Sequence, residues 1–93
     1  MSYQLLYSET SRKQIRKLHP HIKPVVKSKI ETLQKNPFYG KWLEKELSGY
    51  LSLRAKRFRI IYKVRDNDQT VEIHYVGHRK NIYELFREAI AEP

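Results

Sequence analysis

Cysteine is absent from this chain of 93 residues, and its absence excludes several kinds of chemistry. The chain has no disulfide to staple its fold, no thiolate to bind a metal and no cysteine nucleophile. Small secreted domains usually need disulfides, so the sequence predicts a cytoplasmic protein. The four histidines lack the thiol and acidic neighbours of a zinc site, and we therefore expect neither a metal nor a cofactor.

Glycine and long apolar runs are also scarce. The three glycines, Gly40, Gly49 and Gly77, are not clustered, which excludes a glycine-rich loop that cradles phosphates. No apolar run approaches the roughly 18 residues that cross a bilayer. Apolar residues still make up 40% of the chain, which is enough for a core, and no linker or repeat interrupts them. The sequence therefore predicts one domain over residues 1–93.

Acidic residues are few compared with basic ones. Ten Asp and Glu stand against 19 Lys and Arg, which gives a net charge of +9. A compact domain with this charge repels itself, and a polyanionic partner would relieve the repulsion. Nucleic acid, an acidic membrane surface and an acidic protein are the candidate partners. The alternative is a basic surface that only keeps the protein soluble.

The periodicity of the apolar residues predicts an α+β fold with the order β-α-α-β-β-β-α. Strands are expected at residues 3–7, 51–55, 58–64 and 71–78, with a short additional strand at 44–47. Helices are expected between the N-cap Ser8 and Pro20, over 22–33, and after the N-cap Asn81. We expect the late strands to form a twisted, mostly antiparallel sheet, with the N-terminal helical hairpin and the C-terminal helix on one face.

Two segments far apart in the chain concentrate cations. The first is RAKRFR at 54–59, and the second is GHRK at 77–80, where a strand ends. If these strands pair through a turn at 65–69, Arg59 lies near residues 74–76 and Arg57 lies near His78. One end of the sheet then forms a cationic pocket suited to phosphates. Its predicted members are Arg54, Arg57, Arg59, His78 and Arg79, with Tyr83 placed one turn into the last helix to face them.

Several runs of sequence resemble the RelE/ParE toxin superfamily. These are SLR at 52–54, RFRIIYKV at 57–64 and VGHRKNIYE at 76–84, together with the Asn-Pro end of the second helix at 36–37. The similarity covers nearly the whole chain and implies a RelE-like fold. It also implies a toxin of a type II toxin–antitoxin system, held inactive by an acidic, partly disordered antitoxin.

The resemblance further implies an mRNA endonuclease that acts on the ribosome without metal. In such an enzyme the RNA 2′-hydroxyl attacks the adjacent phosphate, which requires a base, cations for the crowded phosphate and an acid for the leaving oxygen. Arg59 and Arg79 match the two arginines of the family pattern. Tyr83 matches its tyrosine, although it lies two residues closer to Arg79 than in the pattern.

One departure from the pattern concerns the general base. The best-known relatives carry two lysines on the strand before the first arginine, and the aligned residues here are Tyr50 and Ser52. His78 is the natural substitute, because a neutral imidazole accepts a proton near pH 7. Lys56 or Arg57 would supply missing charge, but an arginine stays protonated and is a poor base.

The remaining cations suit RNA binding rather than catalysis. The residues predicted to contact RNA phosphates are Arg54, Lys56, Arg57, Lys80, Arg12, Lys13 and Arg16; the last three form a basic face of the first helix. Such cations are also common on plain solvated surfaces, and Tyr83 has the alternative role of packing against the sheet. Phe38 and Trp42, in a predicted loop, are expected in the core or against a partner rather than stacked on bases.

Two other functions stay open on the same fold. The first is a ParE-like inhibitor of DNA gyrase, which the missing lysine pair favours. The second is a basic RNA-binding module without catalysis, whose binding would fall steeply with salt. Neither alternative, nor the nuclease, requires a membrane or a small-molecule cofactor.

Overall fold

The computed structural model describes residues 2–91, and in that range the chain forms a five-stranded sheet with three α-helices. The elements are β1 (Gln4–Tyr7), α1 (Glu9–Arg16), α2 (Lys23–Thr32), β2 (Lys41–Trp42), β3 (Leu51–Ala55), β4 (Phe58–Arg65), β5 (Thr70–His78) and α3 (Ile82–Ala91). The α+β class predicted from the sequence is confirmed. Within residues 2–91, no helix has the length and apolar character needed to cross a bilayer.

The sheet has the order β1-β5-β4-β3-β2. Strands β2 to β5 pair antiparallel, as the hairpin turns predict, whereas β1 pairs in parallel with β5. Helices α1 and α2 connect β1, at one edge of the sheet, to β2, at the other edge. The longest strands, β4 and β5, are neighbours inside the sheet and are paired on both sides.

The prediction that all helices share one face of the sheet is wrong. Ile60 and Tyr62 of β4 pack with α1 and α2, whereas Ile61 between them packs with Ile82 and Phe86 of α3. All three β4 side chains are fully buried. Since alternate side chains point to opposite faces, a central strand with three consecutive buried residues requires cover on both faces. The sheet is therefore sandwiched between the helical hairpin and α3.

The predicted strand at 44–47 is also wrong. Residues Lys45–Leu47 form a single 3₁₀ turn, which buries Leu47 against α3. The edge strand forms earlier, at Lys41–Trp42, inside the segment that the sequence predicted as a loop. Both strand residues are exposed, so no apolar alternation marked them as a strand.

A β-bulge in β5 shifts the register of the sheet by one residue. Ile61 pairs with Tyr75 and Tyr62 pairs with Ile73, which leaves His74 as the extra residue. Beyond the bulge, Arg59 lies opposite Gly77, not opposite residues 74–76 as counting from the turn predicted. The bulge therefore moves the end of β5 one residue along β4.

Three polar side chains, from the N-cap of α1 and from α1 itself, hold the bulge. The N-cap Ser8 donates to the carbonyl oxygen of His74 at 3.0 Å, and Ser11, fully buried, lies 2.9 Å from the carbonyl oxygen of Ile73. The side-chain oxygen of Gln14 accepts the N–H of Val76 at 2.7 Å. Backbone groups that the bulge releases from the ladder are thus satisfied by the first helix.

We expect Ser11→Ala to lower the free energy of unfolding by roughly 1 kcal/mol, because a buried hydrogen bond to Ile73 is lost. Urea unfolding measures this directly. The control is Ser28→Ala on the exposed side of α2, which is expected to stay within about 0.5 kcal/mol of wild type. Equal effects at the two positions would contradict the anchoring role of Ser11.

Candidate functional site

A groove of about 430 Å³ runs along the outer edge of β3. Its lining residues are Lys29, Tyr39, Gly40, Lys41, Ser52, Leu53, Arg54, Lys56 and Arg59. Five of these are cations and none is acidic. Strand β2 pairs only with Leu51 and Ser52, so the groove continues along the part of β3 that β2 leaves uncovered. A groove with five cations and no acidic lining residue suits a polyanion.

Two arginines of the groove lining are neighbours across two strands. Arg54 of β3 and Arg59 of β4 are direct partners in the antiparallel ladder, so their side chains leave the same face of the sheet. Like charges in this position destabilise a sheet. Arg54 is exposed and its Nε donates to the carbonyl oxygen of Lys56 at 3.1 Å, whereas Arg59 is half-buried. A bound phosphate group would turn this repulsion into attraction.

The tight turn between β3 and β4 presents a lysine in an unfavourable backbone conformation. Ala55 pairs with Phe58, which leaves Lys56 and Arg57 as a two-residue turn. Lys56 has φ of 57°, in the left-handed region that glycine or asparagine adopts more readily. Such local strain is often found at functional sites. Here it holds a cation at the mouth of the groove.

Tyr83 reaches the same face of the sheet from α3. Its hydroxyl lies 2.9 Å from the Ser52 hydroxyl, and Ser52 is one pleat along β3 from Arg54. The ring of Tyr83 is half-buried and packs against the cluster that joins α3 to the sheet. The residue therefore has a packing role, and its hydroxyl contacts the sheet on the face that carries Arg54 and Arg59.

Lys41 is a site residue that the sequence analysis missed. It lies directly opposite Ser52 in the ladder between β2 and β3, so both side chains lie on the face that carries Arg54 and Tyr83. It lines the main groove and also a neighbouring one that contains Tyr83. Only the pairing of β2 with β3 places Lys41 at the site. A strand of two exposed residues has no apolar alternation by which the sequence could reveal it.

The second cationic segment lies at the same end of the sheet but outside the groove lining. The N–H of Arg79 donates to the carbonyl oxygen of Arg57 at 2.8 Å, which extends the ladder between β4 and β5. Arg79 and Lys80 are exposed. His78 pairs with Phe58 and its ring contacts that of Phe58 edge-on at 5.7 Å, so it lies on the face opposite to Arg59.

The basic face of α1 is not part of this site. Helix α1 packs on the other face of the sheet, where Arg12 and Arg16 line a separate groove of about 500 Å³. That groove also contains Lys23 and Lys27 of α2. Lys13 is paired with Glu9 at 3.4 Å. The chain thus has two basic surfaces, and α2 contributes Lys29 to the groove beside β3 and Lys27 to the other one.

Three other titratable side chains of the sheet, those of Glu72, His74 and Tyr62, have structural partners. Burial raises the pKa of Glu72, but hydrogen bonds from Arg65 and His74 outweigh burial and leave the pKa below its ordinary value. His74 is held by this contact at 3.1 Å. Burial raises the pKa of Tyr62, while the N–H of Gly40 that its oxygen accepts opposes the shift. Within residues 2–91, no three His, Cys, Asp or Glu side chains gather as a metal site would require.

Comparison with known proteins gives consistent matches. The family model described as ParE toxin of type II toxin–antitoxin system, parDE, matches residues 5–83. Toxin RelG of Mycobacterium tuberculosis is 36% identical over 85 residues, which are 89% of this chain and 98% of that protein.

Two solved structures carry the same fold. A chain of the toxin–antitoxin complex RelBE2 from Mycobacterium tuberculosis aligns with a TM-score of 0.79 and 33% identity, over 85% of this chain and 100% of that one. A mutant of E. coli toxin RelE in the free state aligns with a TM-score of 0.75 and 26% identity, over 98% and 97% of the two chains. The order of strands and helices around the groove is therefore shared with these toxins.

We expect inorganic pyrophosphate to stabilise the protein more than sodium chloride at equal ionic strength, because it binds the folded groove between Arg54 and Arg59. A gain of 1 kcal/mol would raise the melting temperature by about 4–8 °C. Arg59→Gln should lose this gain. In chloride alone the variant should match or exceed wild-type stability by up to about 1 kcal/mol, since a like-charge pair is removed.

The control is Arg65→Gln, which changes the same residue type at the opposite end of β4. It should keep the full response to pyrophosphate and lose only the small contribution of an exposed ion pair with Glu72. An equal loss of the response in both variants would show that the anion binds by net charge alone.

Proposed function

The chain belongs to the ParE toxin family, within the RelE/ParE superfamily of type II toxin–antitoxin toxins, and we propose that it acts as a ribosome-dependent mRNA endonuclease. The observation that carries this proposal is the cross-strand pair Arg54 and Arg59 in a groove with five cations and no acidic lining. Such a groove suits the backbone of RNA, whose phosphates are the main source of binding free energy.

The proposed reaction is a transesterification within the RNA. The 2′-oxygen forms a bond to the adjacent phosphorus, and the bond from phosphorus to the 5′-oxygen of the next nucleotide breaks. The products are a 2′,3′-cyclic phosphate and a 5′-hydroxyl end. Arg54 and Arg59 bind the non-bridging oxygens, which gain negative charge in the transition state. Arg79, at the same end of the sheet, is the candidate cation for the leaving oxygen.

Two proton transfers complete the reaction. Tyr83, whose hydroxyl is paired with that of Ser52, is the candidate donor to the leaving 5′-oxygen. His78 remains the candidate acceptor of the 2′-hydroxyl proton. Its ring lies beside Phe58 across the end of the sheet from Arg59, so the RNA would have to pass around that end to reach both groups.

We also propose an acidic antitoxin as the partner that keeps the toxin inactive. The similar chains in RelBE2 of Mycobacterium tuberculosis and in the E. coli RelBE complex were solved as toxin–antitoxin complexes. The net charge of +9 favours an acidic partner, which would neutralise the groove and the basic face of α1.

Inhibition of DNA gyrase is the second candidate function. The matching family model is described as the ParE toxin, and the separation of His78 from Arg59 by the sheet favours a site without proton transfer. In that case the groove would bind a protein rather than an RNA phosphate.

We expect purified toxin to produce new toeprints on an mRNA bound to ribosomes, and Arg59→Ala to lower the cleavage rate at least about 100-fold, because transition-state charge loses a fixed donor. Arg65→Ala, at the other end of β4, should cleave as wild type does. Uncut messages together with inhibited supercoiling by gyrase would replace the nuclease with the second candidate. Uncut messages with RNA binding that falls steeply with salt would indicate a binding module without catalysis.

A further inference from the structure

Three aromatic side chains are exposed beside the basic groove. Phe38, Tyr39 and Trp42 are exposed by 45%, 59% and 54%, although large aromatic side chains are usually well buried. Phe38 and Trp42 stack on each other with ring centroids 5.9 Å apart. Of the two places expected for Phe38 and Trp42, the core is therefore wrong, and contact with a partner stays a prediction that their exposure favours.

The segment that carries these rings is held firmly to the sheet. The N–H of Gly40 donates to the buried Tyr62 hydroxyl at 2.9 Å, and Lys41 and Trp42 pair with β3. A Cβ at Gly40 would lie 2.6 Å from the Tyr62 hydroxyl oxygen and 2.8 Å from the carbonyl oxygen of Ser52. Only glycine allows this close approach. The backbone that carries Tyr39 is thus anchored at the next residue, so little ordering of the main chain is needed when a ligand binds.

The ring of Tyr39 belongs to the cationic groove itself. It shares the groove lining with Lys41, Arg54 and Arg59. An exposed ring next to a track of cations is the arrangement by which proteins bind single-stranded nucleic acid, since bases stack on the ring and phosphates contact the cations. An acidic polypeptide would satisfy the charges, but it offers an exposed aromatic ring no regular series of flat faces.

We propose that Tyr39 is a stacking site for a nucleobase of single-stranded RNA whose phosphate lies between Arg54 and Arg59. This inference deepens the proposed function, on which it rests, by giving the groove a site for a base as well as for a phosphate. Stacking tolerates all four bases, so the site adds affinity and positions the strand without a strict sequence preference.

Binding of a short 2′-O-methyl RNA tests the proposal, because the blocked 2′-oxygen prevents cleavage. Fluorescence anisotropy of a labelled RNA measures the Kd. Tyr39→Ala should weaken binding by roughly 5- to 150-fold, the range for loss of one stacked base. Tyr39→Phe keeps the ring and should bind within about threefold of wild type. The matched surface control is Ile90→Ala, exposed by 41% on α3, which should bind as wild type does.

Two further measurements separate stacking from charge. The slope of log Kd against log salt should be unchanged in Tyr39→Ala, whereas Arg59→Ala should flatten it by about 0.7 for one lost phosphate contact. An oligonucleotide of the same length without bases should bind wild type as weakly as Tyr39→Ala binds the complete RNA. Tyr39→Ala should weaken the binding of that abasic strand no further.

Three results would overturn the proposal. The first is that Tyr39→Ala binds the complete RNA with wild-type affinity. The second is that Tyr39→Ala weakens binding of the abasic strand as much as binding of the complete RNA. The third is that the wild-type protein binds neither strand measurably. Unchanged RNA binding with a weakened complex between Tyr39→Ala and an acidic antitoxin would assign the aromatic cluster to a protein interface instead. If Tyr39→Ala binds normally while Arg59→Ala still abolishes cleavage on ribosomes, this inference fails and the nuclease stands. If binding depends on the base but no message is cut, the stacking site stands and the nuclease proposal fails.

Discussion

The basic groove of this molecule depends on two arginines that face each other across β3 and β4. The antiparallel register makes Arg54 and Arg59 direct neighbours on one face, where they repel each other unless an anion lies between them. Lys41 reaches the same face from β2, and Lys56 is held at the turn in a left-handed conformation. The sheet tolerates the repulsion between these cations because the neighbouring β4 residues are fully buried between helices on both faces, and this burial stabilises the strand pairing. The core thus fixes cations in positions that an isolated sheet would disfavour.

The bulge in β5 links this face to the end of the last long strand. The extra residue, His74, advances β5 by one position, so that Gly77 lies opposite Arg59 and the N–H of Arg79 reaches Arg57. Side chains of α1 satisfy the backbone groups that the bulge releases. The helical hairpin on one face therefore sets which residues meet at the end of the sheet, although its own basic groove lies on the other face.

Most of the fold could be predicted from the sequence because its apolar periodicity is strong. The helices, the three long strands and the convergence of residues 54–59 and 77–80 at one end of the sheet follow from counting apolar positions and turns. The distribution of helices over both faces was already encoded in the three consecutive apolar residues Ile60, Ile61 and Tyr62, which no single-faced strand would carry.

The details of the site could not be predicted, because they depend on pairing. Strand β2 is short and exposed, so nothing in its composition placed Lys41 opposite Ser52 or Tyr39 in the groove. The bulge at His74 depends on long-range contacts with Ser8 and Ser11, and it shifts a register that counting from the turn cannot correct. His78 shows the consequence, since one position along a strand decides which face its ring occupies.

The most direct test of the role of the arginine pair is an NMR spectrum of the arginine Nε–Hε groups, recorded with and without an uncleavable 2′-O-methyl RNA. The signals of Arg54 and Arg59 should shift and exchange more slowly with water when RNA binds, because their N–H groups donate to phosphate oxygens. Arg65, at the far end of β4, should not change. Unchanged signals of Arg54 and Arg59, together with shifts of Arg12 and Arg16 on α1, would place the RNA on the other basic surface and contradict the role given to the groove.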